Sequence, residues 1–385
     1  MQDLHEGGNG SITSFSTSYK NHSNVAKVRI FRSLDGDPLR PRVALVTSGL
    51  GTKYGGIGVV SQMMVSALEQ DAEILVWKHP SSWPRPLRIP IILWRTIWGS
   101  LKHVDLVIYD HVHLAVLHQV NPMLRRVPYV VFLHGIEVWL PLQGRRRDAL
   151  RGADLLLANS ATTEAQARSF NPWLPKVEVI WLGVRDQPQP ADISKSAPIG
   201  LMVGRILQEE RCKGHDAVLD AWPLIRTAVP GANLIIMGTG DDEHRLRQRV
   251  ATERIEGVEF CGRLSDTDRD AMYRHSRLLF FPSSGEGFGL AGVEAASFGV
   301  PVLGLTATVT DELFPEETGA VFAKRPDGDS IAQAAIPVLK DPQRAASLGQ
   351  TARARVQSVF LEEHFIERFR KAISPLMRGI RTQQT

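Results

Sequence analysis

Residues 281–299 read Phe-Pro-Ser-Ser-Gly-Glu-Gly-Phe-Gly-Leu-Ala-Gly-Val-Glu-Ala-Ala-Ser-Phe-Gly. An apolar run of strand length, 277–281, enters a loop carrying Gly285, Gly287 and Gly289, and a helical pattern starts near Leu290. A strand that feeds a helix through a glycine-rich turn is the repeating unit of a parallel sheet with helices on its faces. The first-turn amides of such a helix, here those of Gly289, Leu290 and Ala291, lack intrahelical partners and suit a phosphate. Glu286 in the loop and Glu294 in the helix cannot themselves ligate a phosphate. They suit hydroxyl donors such as those of a sugar and a ribose. For Glu294 the plainer alternative is a favourable charge near a helix N-terminus.

The same alternation runs outward in both directions. Downstream, strands are expected at 301–304 and 319–322 and helices at 328–339, 342–358 and 361–379. Upstream, the second half opens with Ile199-Gly-Leu-Met-Val-Gly204, followed by strands at 233–238 and 257–261 and helices at 214–227, 241–252 and 266–275. Before it, 184–198 holds three prolines and no apolar period, which makes it a linker. The first half repeats the pattern, with strands near 42–48, 73–78, 104–110, 128–134, 154–158 and 177–181 and helices near 57–70, 113–120, 142–151 and 160–169. Residues 1–40 are polar and rich in Gly, Ser and Asn, the composition of a disordered tail. The expected architecture is α/β: two doubly wound parallel-sheet domains, 41–183 and 199–360, facing a cleft, with a C-terminal helix over 361–385 packing back toward the first domain.

Composition narrows the function. The chain has 385 residues, 43% hydrophobic and 22% charged, ordinary values for a folded protein. Two cysteines are too few for a disulfide framework or a cysteine zinc site, and they fit a reducing compartment. No apolar run reaches the roughly 18 residues a membrane-spanning helix needs, and the N-terminus shows no signal-peptide core. A cytoplasmic protein is expected. Residues 1–190 carry 21 basic and 15 acidic side chains, and the remainder 24 and 26. That asymmetry argues against a chain-wide nucleic-acid surface and for one basic region in the first half.

Two further loops carry chemistry. Gly49-Leu-Gly-Thr-Lys-Tyr-Gly-Gly-Ile-Gly58 follows the first strand and could bring backbone amides to an anion, or could be a tight turn. Its glycine spacing fails the dinucleotide fingerprint, no acidic residue ends the second strand, and no P-loop motif occurs. Gly204-Arg-Ile-Leu-Gln-Glu-Glu-Arg-Cys-Lys-Gly-His215 opens the second domain. There Arg205 and Lys213 could neutralise a leaving diphosphate, or could simply be solvated.

Together the segments resemble the retaining GT-B glycosyltransferases that carry the E-x7-E signature, family four of the sequence classification. The pieces are Gly55-Gly56, His134-Gly-Ile-Glu137, Asn159-Ser160, Gly204-Arg205, Lys213-Gly214, Gly238-Thr-Gly240, and Glu286 to Glu294 followed by Ala295-Ala-Ser-Phe-Gly-Val-Pro301. The resemblance implies that Glu286 meets the donor sugar and Glu294 the ribose. It implies that Gly287, Phe288, Gly289 and Leu290 offer amides to diphosphate and sugar, and that Gly56 approaches from the other domain. Arg205 and Lys213 would stabilise the leaving group, and His134 would lie at the reaction centre. It implies no metal and no cofactor beyond the nucleotide-sugar co-substrate. The spacing from Arg205 to Lys213 is longer than the family's usual one, so Arg211 competes for the role of Lys213. Leu182-Gly183 stands where many relatives have Asn-Gly.

His111 and His113 follow the third strand and, with Glu137, are acceptor-side candidates; buried structural histidines are the equal alternative. Asp35-Gly-Asp37, Asp266-Thr-Asp268 and Asp327-Gly-Asp329 mimic a metal-binding D-x-D but read as turns and caps. Residues 78–103 carry five basic residues and three tryptophans with no acid, which suits either an anionic membrane surface or a solvated connection. The expected activity is retaining, metal-independent transfer of a hexosyl group from a UDP- or GDP-sugar to a glycan, lipid-linked or small-molecule acceptor. The alternatives are a sugar-nucleotide epimerase of the same fold and a non-catalytic sugar-nucleotide-binding module.

Overall fold

Runs such as Val-Ala-Leu-Val, Tyr-Val-Val-Phe-Leu and Leu-Gly-Leu-Met-Val have no polar face, so they are stable as strands only where both sides are covered. The computed structural model of the protein describes residues 40–79, 104–187, 197–315 and 318–384, with residues 90, 94 and 97 between the first two stretches. In it those runs build two parallel sheets. The first contains β1 (Arg42–Thr47), β2 (Glu73–Lys78), β3 (Leu106–Tyr109), β4 (Tyr129–Leu133), β5 (Leu155–Ala158) and β6 (Val177–Val179), in the order β2-β1-β3-β4-β5-β6. The second contains β7 (Ile199–Val203), β8 (Asn233–Met237), β9 (Val258–Gly262), β10 (Leu278–Phe280), β11 (Val302–Leu305) and β12 (Ala320–Ala323), in the order β12-β11-β10-β7-β8-β9. Along β1, β3 and β4 alternate residues divide between two cores: Val43, Leu45, Leu106, Ile108, Val130 and Phe132 face one, and Ala44, Val46, Val107, Tyr109, Val131 and Leu133 face the other.

The connecting helices are α1 (Gly55–Leu68), α2 (Val112–Val120), α3 (Gly144–Arg151) and α4 (Ala161–Phe170) in the first half. In the second half they are α5 (His215–Ala228), α6 (Glu243–Thr252), α7 (Asp266–His275), α8 (Leu290–Ser297), α9 (Val309–Leu313), α10 (Gly328–Lys340), α11 (Pro342–Val359) and α12 (Glu362–Gln384). Their starts follow local chemistry. Ser160, Ser265, Asp327 and Asp341 each accept a first-turn amide, and Pro342 opens α11 where its missing N–H costs nothing. Both later D-x-D look-alikes therefore sit at helix starts; Asp35 to Asp37 lies outside the described residues. The helix α9 and the short 3-10 turns at 52–54, 136–138 and 208–213 have no counterpart in the sequence reading. They are too short to show a period.

The two passages of the chain between the sheets, at 184 and at 361, lie side by side. Val184 pairs with Leu361, its N–H donating to the Phe360 carbonyl (2.8 Å) and its carbonyl accepting from Glu362 (2.9 Å). Of the linker expected at 184–198, residues 188–196 lie outside the described residues. After the crossing, α12 lies on α1 of the first sheet's layer. Arg370 donates to the Ala67 carbonyl (2.7 Å), and Phe365, Phe369 and Ile373 are buried in the shared core. Each such phenylalanine contributes about 1.5–3 kcal/mol of burial.

Strand order reverses between β1 and β3 in one sheet and between β7 and β10 in the other. Loops leaving the carboxyl ends of strands at such a point diverge and leave a crevice for ligand. Of the candidate residues, those at 49–58 and 111–113 follow β1 and β3, and those at 204–214 and 281–289 follow β7 and β10. The basic-aromatic stretch 78–103 lies outside the described residues except for Lys78, His79, Pro90, Trp94 and Ile97. No helix among the described residues is long and apolar enough to cross a membrane.

Candidate active site

The loop after β10 is shaped by two glycines. Gly289 has φ +87°, a left-handed conformation, and a Cβ there would press on the Phe281 ring at 2.8 Å. It ends the loop and caps α8, whose first-turn amides start at Leu290. Phe288 turns its ring into the core against Phe360, so only its backbone faces other chemistry. Glu294, in the second turn of α8, accepts a hydrogen bond from the Tyr273 hydroxyl at 3.1 Å. Burial holds its carboxyl above the ordinary range, partly opposed by Arg269. An extra hydroxyl donor would relieve that under-solvated carboxylate.

The loop after β7 supplies cations. Glu210 is buried and forms an ion pair with Arg205, while Lys213 Nζ lies 3.7 Å from its other oxygen and 3.3 Å from Glu286 Oε2. Arg211 is engaged elsewhere: its guanidinium makes two hydrogen bonds to Asp242 (2.9 and 2.7 Å), which also receives Arg245. Those two arginines hold the Asp242 carboxyl far below its usual range. Lys213, not Arg211, is thus the cation beside Glu286. The two loops are stitched by the Ser284 amide donating to the Cys212 carbonyl (3.0 Å).

Across from them, the first sheet presents three imidazoles. The His111 and His113 rings stack at 4.8 Å, and His134 follows at 6.4 Å from His111. His134 Nε2 lies 2.6 Å from the Asp110 carbonyl. A carbonyl only accepts, so Nε2 carries the proton and Nδ1 keeps its lone pair. Burial pushes the His134 and His111 pKa values down, and burial with the neighbouring His111 brings His113 to about 4. The stack is neutral near pH 7. Glu137 accepts the His134 amide at 2.6 Å and so holds the turn after β4. Beneath lies Asp110, which takes the Ser61 hydroxyl (2.8 Å), has one unpartnered oxygen, and is held above its normal pKa by burial.

The sequence candidates therefore form two groups: Arg205, Lys213, Glu286 and Glu294 with the 287–290 amides, and His111, His113, His134 with Glu137. The first group meets the second at Gly287 and meets Gly56, a further candidate of the first domain, at Leu290. A Cβ on Gly287 would sit 1.6 Å from the His134 carbonyl oxygen, and a Cβ on Gly56 would reach Leu290 at 3.4 Å. Sequence reasoning gave no role to Glu210, Tyr273, Ser160, Thr163 or Glu312. Ser160 and Thr163 donate to the Gly287 carbonyl (2.5 and 3.1 Å), and the Glu312 carboxylate takes donors from α4. Glu210 pairs locally with Arg205, five residues away, but the partners of the others lie between 21 and 151 residues away, beyond any local motif.

Residues 184–355 match the family described as glycosyl transferases group 1. A GDP-mannose-dependent monoacylated alpha-(1-6)-phosphatidylinositol monomannoside mannosyltransferase of Corynebacterium glutamicum is 33% identical over 163 residues, 40% of this chain and 42% of the relative. A glycogen synthase of Mycobacterium tuberculosis is 30% identical over 234 residues, 59% of this chain and 53% of the relative. The matched stretches thus span about half the length of these curated relatives. Among solved structures, sucrose-phosphate synthase from Thermosynechococcus elongatus superposes with TM-score 0.73 at 17% identity, over 88% of this chain and 100% of its own. Anabaena HepE, solved with UDP and glucose, superposes with TM-score 0.69 at 19% identity, over 86% and 99%. At such identities these likenesses establish the fold. The chain has the two-domain GT-B fold, and its residues 184–355 are similar to the group 1 glycosyl transferases.

Proposed function

We propose that the chain transfers a hexosyl group from a UDP- or GDP-linked sugar to a glycan, lipid-linked or small-molecule acceptor, with retention of anomeric configuration and without a metal. The observation that carries this reading is the convergence of Lys213 and Glu286, 3.3 Å apart, beside the N-terminus of α8, with Gly56 of the other domain facing Leu290. A diphosphate held there would meet the helix amides and the charges of Lys213 and Arg205, while Glu286 and Glu294 accept sugar and ribose hydroxyls. As the bond from the anomeric carbon to the phosphate oxygen breaks, charge grows on the diphosphate, and pre-placed cations lower that barrier. The acceptor oxygen then bonds to the anomeric carbon on the face just vacated. Its proton passes to the departing phosphate oxygen, so no protein base is required. The neutral His134, with its Nδ1 lone pair, would orient donor or acceptor at this point without adding charge.

The relatives support the donor classes: one is described as GDP-mannose-dependent, and HepE was solved with UDP and with UDP-glucose. A thermal-shift panel with UDP, GDP, ADP and their sugar conjugates, with and without EDTA, tests the reading. Stabilisation by one uridine or guanosine series, unchanged by EDTA, is expected. Absence of any shift, together with no product from any donor, would reject it.

A further inference from the structure

Four donors converge on Glu312, in the short helix α9 that follows β11 of the second sheet, and all four come from the first sheet's half of the molecule. Oε1 accepts from the Ala161 amide (2.8 Å) and Trp181 Nε1 (2.7 Å). Oε2 accepts from the Thr162 amide (2.8 Å) and the Thr162 hydroxyl (2.7 Å). First-turn amides of a helix have no intrahelical acceptor, and a carboxylate there is favoured by the helix dipole. Here that carboxylate is supplied by the other domain. At the same helix end, Ser160 and Thr163 donate their hydroxyls to the Gly287 carbonyl. The C=O and N–H of a planar trans peptide point in opposite directions, so anchoring that carbonyl also fixes where the Phe288 N–H points.

We propose that the N-terminus of α4 is a positioning element for the donor. Glu312 clasps the two domains together, and in the clasped arrangement Ser160 and Thr163 aim the Phe288 N–H at the bound nucleotide sugar. The proposal rests on the glycosyl-transfer reading. Ser160, Thr163 and Glu312 touch no substrate; they act through the Gly287–Phe288 peptide. Coupling of this kind is reciprocal, so a bound nucleotide must in turn tighten the Glu312 clasp.

The test uses the full chain as wild type, as a Ser160→Ala/Thr163→Val double variant and as Glu312→Gln. UDP and GDP affinities are measured by calorimetry, and amide hydrogen exchange is followed in residues 159–164. In wild type, exchange at Ala161 and Thr162 is slow and slows further with the nucleotide that binds. In Glu312→Gln, whose amide nitrogen opposes two of the four donors, both effects disappear. Each variant binds the nucleotide roughly ten-fold more weakly, the scale of one or two lost hydrogen bonds. A purely structural role would lower Tm without removing the nucleotide dependence of exchange. Affinity equal to wild type in the double variant, or unchanged exchange in Glu312→Gln, overturns the proposal. If Glu312→Gln does not fold, Glu312→Asp, one methylene short of its donors, is read in the same way. Wild-type protein that binds neither nucleotide instead overturns the functional reading; the clasp is then decided by exchange in the nucleotide-free protein.

Discussion

The carbonyl oxygen of His134 fills the space in which a side chain on Gly287 would begin. The two domains here approach backbone against backbone, 153 positions apart in the sequence. Gly287→Ala should force the loops after β4 and β10 apart while leaving each core intact. Misplacement of reacting groups by about an ångström costs on the order of 100-fold. Steady-state transfer assays should show that loss, with circular dichroism unchanged.

Lys213 and Glu286 face each other but should fail differently. Lys213→Ala removes positive charge from the diphosphate site and should weaken nucleotide binding and lower kcat/KM by roughly 100-fold or more. Glu286→Ala should chiefly reduce transfer, with UDP or GDP affinity close to wild type. Calorimetry beside initial rates separates the two, and intact nucleotide binding in Lys213→Ala would sink the assignment.

Glu294→Gln keeps the volume and still accepts from Tyr273, but removes a carboxylate whose ionisation burial opposes. Its folded-state pKa is raised, so ionisation at neutral pH costs stability. Tm should therefore hold or rise near pH 7, while nucleotide affinity falls roughly ten-fold through a weaker ribose contact. A scan of Tm and Kd on one sample decides it.

Buried histidines set an acid limit. His118, stacked on Tyr129 at 3.8 Å, and His215, beneath the Lys213 loop, are each pushed from 6.5 to about 4, mainly by burial. The unfolded chain binds more protons between those values, so stability is full above about 6.5 and declines toward pH 4. Calorimetric Tm should fall across that window, and His118→Gln should make the slope shallower. An unchanged slope would place the acid sensitivity elsewhere.

The strands and long helices were legible because fully apolar runs and capped amphipathic stretches leave little choice of structure. Phe281 to Gly299 shows why: a strand, a left-handed glycine and a free helix end each follow from local residue chemistry. The cationic loop was legible in composition but not in detail. Choosing Lys213 over Arg211 depended on Asp242, 31 residues away, which engages Arg211. Glu312 was invisible for the same reason, since α9 is a single short turn of helix and its partners lie in another domain. Histidine tautomers also had to wait for geometry, because only the Asp110 carbonyl assigns the proton on His134.

The packing of α12 on α1 bears on synthesis. The first sheet's helix layer is sealed by Phe365, Phe369 and Ile373, residues translated after the entire second domain. During translation the earlier half must wait with an uncovered greasy flank while its neighbour emerges and folds. Nascent chains stalled before residue 362 should be the species that chaperones hold, and separate expression of residues 40–187 should yield aggregates unless α12 is supplied as a peptide.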